Sequence, residues 1–300
     1  MRYYLCLCLI AGLALPAAAK DAQTPLPRAH DIRPVVSSSV DDFLAPAALV
    51  TAQAHYDAEN FPQAYVGFRD IILRDPNHRD ARIGLGNSAL ALGRTAQAYG
   101  LFTQLAKDPY TPAQKGPIVA GLVLTEIAQR TDIDVEVRIN DALEITLDDP
   151  RLWNALGRFH DTAGNSLIAQ DAYVRALETG RAASSVVNNL GMSYLMRGDL
   201  ALAKAKFEQA ILLNKDKKLY DNNRRLVLAL EGHYEKAAQG LGHTRTADIL
   251  NDAGYIAMQR GENRTAEILF RKAADISPAF HLKAKSNLET LKHRMRKTPA

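Results

Sequence analysis

Four asparagines, Asn154, Asn188, Asn222 and Asn251, recur at one step of a repeating pattern and are the first residues to consider for recognition chemistry. A carboxamide offers both a donor and an acceptor, the two groups that an extended peptide backbone presents. A column of them on the inner face of stacked helices holds a visiting chain without reading its side chains. Met192, Met196, Tyr255 and Met258 fall on or near the same face and add adaptable apolar contact. A second reading stays open. Asparagine near a helix start is an ordinary cap, with Asn189 and Asn223 beside two of these four, and methionine is ordinary core filler.

Catalytic chemistry has less support. None of the eight histidines stands in an HExxH zinc motif, and they are scattered along the chain. Gly84-Leu85-Gly86 lacks the lysine that completes a phosphate loop, and no Gly-x-Ser-x-Gly elbow occurs. Asp148-Asp149 sits at a turn, where carboxylates cap and solvate helix ends. Both cysteines, Cys6 and Cys8, lie in the first 19 residues. A chain cleaved after Ala19 keeps no thiol for a disulfide, a nucleophile or a metal. The expectation is a non-enzyme with no metal and no cofactor. Only a site assembled across repeats would reverse it.

The elements that carry the asparagines are helices. Hydrophobic residues make up 47% of the chain and aromatics only 7%, so alanine- and leucine-rich helices suit it better than β-branched strands. Trp153, Leu156 and Gly157 open one helix, Gly164 turns the chain, and Ala169, Tyr173 and Ala176 mark a second. Thirty-four residues on, Leu190, Gly191, Tyr194, Gly198, Ala203, Phe207 and Ala210 repeat the register. Gly232, Tyr234 and Ala237 repeat it again, with a shortened second helix before Gly240 and Gly242. The pattern extends upstream through Ala64, Phe68, Gly86, Ala98 and Phe102, and downstream through Gly254, Ala266 and Phe270. Small residues on facing helices let backbones approach, and the large residue beside them fills the remaining gap. This 34-residue helix-turn-helix period resembles the tetratricopeptide repeat and implies an all-α superhelix, an α-solenoid of about seven helix pairs.

The repeat domain is expected over residues 45–278, with 116–149 as a degenerate repeat. Residues 279–300 read as a basic capping helix and tail, with Leu282, Leu288 and Leu291 turned inward. Residues 1–19 have the marks of a secretory signal: Arg2, an uncharged apolar run from Tyr3 to Leu15, then Pro16 and Ala17-Ala18-Ala19. The run is short against the roughly 20 residues a membrane span needs. Cleavage after Ala19 is the first reading and a retained anchor the second. Leu5-Cys6-Leu7 lacks the small residue that a lipidation site places before its cysteine, so Cys8 points to soluble export. Residues 20–44 read as a flexible leader. The expected compartment is the periplasm, with any outer-membrane association made through partners. A net charge of +4 gives no reason to expect nucleic acid.

Val187-Asn188-Asn189-Leu190-Gly191-Met192-Ser193-Tyr194, then Arg197-Gly198-Asp199 and Tyr220-Asp221-Asn222-Asn223, resemble the TadD family. Leu250-Asn251-Asp252-Ala253-Gly254-Tyr255-Ile256-Ala257-Met258 extends the likeness, which covers roughly residues 150–295. TadD proteins are tetratricopeptide components of Flp (tight adherence) pilus assembly. The resemblance implies a protein-binding scaffold that helps the pilus secretin reach or assemble in the outer membrane, gripping an extended segment of it. Family members are commonly lipoproteins, and this sequence departs there. The alternative is a general periplasmic adaptor or chaperone-like holder for other envelope or secretion complexes.

Overall fold

The computed structural model describes residues 39–129, 133–180, 183–276 and 278–297. The signal segment 1–19 and most of the stretch read as a leader lie outside the described residues. Fifteen helices and no strand occur among them. They are α1 (Ser39–Asp57), α2 (Phe61–Arg74), α3 (Arg79–Ala91), α4 (Thr95–Lys107), α5 (Pro112–Gln129), α6 (Val135–Ile145), α7 (Pro150–Thr162) and α8 (Ser166–Glu178). The rest are α9 (Ser184–Arg197), α10 (Leu200–Leu213), α11 (Lys218–Leu230), α12 (Tyr234–Ala238), α13 (His243–Gln259), α14 (Asn263–Ile276) and α15 (Pro278–Lys297). The first helix begins at Ser39, inside the segment expected to be leader, and Pro46 is accommodated within it. None of the described helices is long and apolar enough to cross a membrane.

The helices form two compact units. One runs to Phe159 and includes Arg175–Ala183; the other holds His160–Val174 and continues from Ser184. In the first unit each of α1 to α6 packs on its neighbour in sequence, and α3 also touches α1 and α5. In the second, α9 packs on α10, α10 on α11, α13 on α14 and α14 on α15.

The core is built where a helix backbone meets an aromatic ring. Phe68, Phe102, Phe207 and Phe270 are fully buried, as are Ala64, Ala98, Ala169, Ala203 and Ala266. A Cβ added to Gly191 would stand 2.7 Å from the Phe207 ring, and one on Gly254 would stand 2.8 Å from Phe270. Gly84 and Gly86 meet two rings, Phe68 of the preceding pair and Phe102 of their own. Gly157 is likewise buried, whereas Trp153 is half-buried. The Trp153 indole Nε1 donates to the Leu147 carbonyl at 2.7 Å, and the Arg175 guanidinium lies 5.1 Å from its ring centre.

The segment without repeat signatures also lays a glycine on an aromatic ring. In α5 a Cβ on Gly121 would come within 2.2 Å of the Phe102 ring. Turns follow the glycine rule, with Gly198 at φ 96°. The first pair turns instead on Glu59, at φ 57°, which occupies the equivalent step without being a glycine.

One inward assignment fails in α15. Leu282 is 78% exposed, whereas Ala284 and Leu291 are buried and Leu288 is half-buried. Positions 284, 288 and 291 follow i, i+4, i+7 and form the inward stripe. Leu282 lies on another face.

Replacing Gly191 with alanine sets two effects against each other. Helix propensity favours alanine by about 1 kcal/mol, and overpacking against the ring opposes it by about 1–3 kcal/mol. The substitution is therefore expected to lower the melting temperature in the native background. Combined with Phe207→Ala, which alone costs about 3–5 kcal/mol, it should become neutral or stabilising. Thermal melts of the four proteins in this cycle measure that reversal of sign.

Candidate functional site

The candidate residues lie on the first helices of successive pairs. Asn154 is on α7; Asn188, Met192 and Met196 on α9; Asn222 on α11; Asn251, Tyr255 and Met258 on α13. Residues four apart stack on one helix face, so Asn188, Met192 and Met196 form one stripe and Asn251 with Tyr255 another. The structure encloses the start of these stripes. Asn188 and Asn251 are each 1% exposed, and Met192 and Met258 are buried as well. Asn154, Asn222, Met196 and Tyr255 are half-buried. The four asparagines thus do not present one open column of amides.

Hydrogen bonding accounts for the enclosed pair. Nδ2 of Asn223 donates to Oδ1 of Asn188 at 2.7 Å. Nδ2 of Asn287 donates to Oδ1 of Asn251 at 2.8 Å, and Asn251 donates in turn to Asp252 at 3.2 Å. A buried carboxamide needs such partners, and the following first helix or the closing helix supplies them. Asn223 is therefore no cap. It is 2% exposed, well inside α11.

These bonds belong to a series that ties several of the pairs to the next. Gln97 donates to the Tyr65 hydroxyl at 2.8 Å, and Gln114 to Asp80 at 2.7 Å. Ser193 donates to Asp161 at 2.8 Å, and the Ser184 and Tyr220 hydroxyls meet at 2.8 Å. The partners stand 32 to 36 residues apart, about one repeat. Residue types differ from link to link, so no single motif in the sequence betrays them.

Asp161 is the most perturbed carboxyl among them. Burial raises its pKa from 3.8 to about 6, against the opposing pull of hydrogen bonds from Ser193 and Tyr173 and of the nearby His160. In the other unit Arg151 plays a comparable tying role. Its guanidinium grips Asp149 through two nitrogens, at 3.0 and 2.7 Å, and donates to Asn87 of α3. Burial opposes its charge, yet the Asp149 carboxylate and Tyr56 hold it firmly protonated. Asp149 also accepts from the Arg151 backbone at 3.0 Å, so it serves the helix start as expected of a turn carboxylate. Among the described residues no group of three or more His, Cys, Asp or Glu is gathered for a metal.

Comparison with known proteins fits this architecture. The tetratricopeptide repeat family model matches residues 49–112 and 154–218. A chain of the APC/C Cut9–Hcn1 hetero-tetramer has a TM-score of 0.55 at 16% identity, over 84% of this chain and 50% of that one. TTC0263, a thermophilic TPR protein of Thermus thermophilus, has a TM-score of 0.48 at 18% identity, over 61% of this chain and 98% of its own. YrrB, a TPR protein with an unusual peptide-binding site, has a TM-score of 0.35 at 17% identity, over 73% of this chain and 97% of its own. No curated protein sequence matches. Among the described residues the fold is all-α and of the α-solenoid class, with tetratricopeptide repeats over 49–112 and 154–218. Such repeats generally act as non-catalytic scaffolds that bind other proteins.

Two measurements probe the polar links. A carboxyl whose folded-state pKa lies above its unfolded value stabilises the fold at low pH and loses that contribution as pH rises from about 4 to about 6. Asp161→Asn should therefore raise the melting temperature relative to the parent by several degrees more at pH 7.5 than at pH 4. Asn188→Ala strands the Asn223 amide and should cost about 1–3 kcal/mol by urea titration. Adding Asn223→Ala to Asn188→Ala should cost much less than it does alone, because the two share one bond.

Proposed function

We propose that this chain is an exported, non-catalytic scaffold that supports assembly of Flp (tight adherence) pilus machinery by engaging the outer-membrane secretin. The observation that carries the reading is the likeness to the TadD family in α9, α11 and α13, three first helices of one compact unit. Val187 to Tyr194 lies in α9, Tyr220 to Asn223 in α11, and Leu250 to Met258 in α13. The Arg197-Gly198-Asp199 turn belongs to the same pattern. There Nε of Arg197 donates to Asp199 at 2.6 Å across the left-handed glycine, which fixes the exit of α9.

The signal-like residues 1–19 support export. Met196, Asn222 and Tyr255 retain exposure on first helices of this unit, and they are the residues we assign to partner contact. A methionine and a tyrosine give adaptable and rigid apolar contact, and the carboxamide serves a peptide backbone.

The purified chain lacking residues 1–19 is expected to capture the pilus secretin from a membrane extract. Met196→Ala with Tyr255→Ala should weaken that capture by about tenfold or more with no change in helical content. Recovery of another envelope complex and no pilus component would overturn the pilus assignment and favour a general periplasmic adaptor. Genes for a secretin, a secretion ATPase and small pilins beside this one are expected on the pilus reading.

A further inference from the structure

The repeat built on α11 is incomplete in a way that leaves a surface uncovered. Its second helix, α12, is five residues long, whereas α10 and α14 are each 14. The missing length is roughly 13 Å of helix at 1.5 Å per residue. The chain turns at Gly240, φ 75°, and enters α13 directly. Two features hold the stump. Arg225 of α11 donates through one nitrogen to the carbonyls of Ala237 and Gln239, both at 2.8 Å, satisfying groups that a continuing helix would have bonded. Lys272 of α14 stands 4.5 Å from the centre of the Tyr234 ring at its first turn.

Beyond the stump the neighbouring flank stays open. Lys204, Glu208 and Leu212 of α10 follow i, i+4, i+8 and so form one stripe. Leu212 is 74% exposed. Two adjoining hollows, about 280 and 410 Å³, share Glu208 and Arg224 as walls. Ile211 and Leu212 line the first, and Lys204, Arg225, Leu228 and Lys236 help line the second. Charge there is unbalanced. Arg224 and Arg225 share one carboxylate, Asp221, which they hold below the usual carboxylate range despite the opposing effect of burial. Lys204 lies 3.9 Å from Glu231. That leaves Lys236 and part of the arginine charge facing a trough whose own lining carries one carboxylate, Glu208.

We propose that this trough docks an amphipathic helix of two to three turns from a partner protein, with an apolar stripe flanked by carboxylates. The partner helix stands where the repeat's own second helix is missing. Shape favours a helix, because the vacated place is one that a helix fills in the neighbouring repeats. Charge favours an acidic one, because cations from all three of α10, α11 and α12 line the second hollow, beside the apolar Ile211 and Leu212 of the first. This site is separate from the first-helix contact residues and stands whether or not the partner is a pilus component.

The test uses the full chain and a labelled 14-residue helical peptide with leucines at i, i+3, i+4 and i+7 flanked by glutamates. A second peptide carries lysines in place of the glutamates. Fluorescence anisotropy is expected to show binding of the acidic peptide and none of the basic one. Lys204→Glu with Lys236→Glu should weaken the acidic peptide by about tenfold or more. Continuing α12 by eight helix-forming residues inserted after Ala238 should abolish binding by filling the trough. Met196→Ala with Tyr255→Ala should leave it unchanged. Absence of binding by the parent chain, equal binding of both peptides, or indifference to the charge reversal in a variant with parental helical content would each overturn the proposal. Loss of binding in the Met196 and Tyr255 variant would place the peptide elsewhere and also overturn it.

Discussion

A helix backbone laid directly on an aromatic ring is the contact on which the rest of this structure depends. Phe102 shows why it propagates. Its ring meets Gly86 of its own pair on one side and Gly121 of the following helix on the other. Phe68 likewise reaches Gly84 of the next pair. One side chain on a second helix therefore fixes the spacing of two first helices. A larger residue at any of these glycines pushes a whole helix away, since the atoms in the way are a packed ring.

Close approach of backbones brings polar side chains together as well, and they are satisfied across the pairs. The links from Tyr65 to Gln97 and from Asn188 to Asn223 join elements about one repeat apart. Each bond adds little net stability, but an orphaned partner in the same place would be costly, so the links favour one stacking register over its neighbours. The same economy limits recognition. A carboxamide enclosed by the next pair is out of reach of a visiting peptide, whereas Asn222, Met196 and Tyr255 keep some surface.

Regularity fails at α12, and there the physical logic changes from packing to capping. Arg225 replaces several turns of helix with two hydrogen bonds to carbonyls, and Asp221 steadies that arginine from the preceding turn. The fold is closed at this point by charge, where elsewhere it is closed by rings. Apolar surface that a complete repeat would cover is left beside a concentration of cations.

The amino-acid sequence by itself determined the helix pairs, because glycine, alanine and aromatic positions recur at a fixed interval and each residue type has a local steric meaning. It also carried the shortened second helix, since Gly240 and Gly242 arrive too soon. It concealed Gly121 and Glu59, which serve the repeat out of register or with an unexpected residue. Leu282 was misplaced for a related reason: a leucine shows apolarity but not its angle around α15 until the facing helix is in place. The orientation of the asparagines was decided by tertiary structure alone. Asn188 and Asn222 occupy the same step of the period, yet one is enclosed and the other half-exposed. Burial depends on which neighbour packs opposite, and hydrogen-bond partners some 35 residues away leave no local trace.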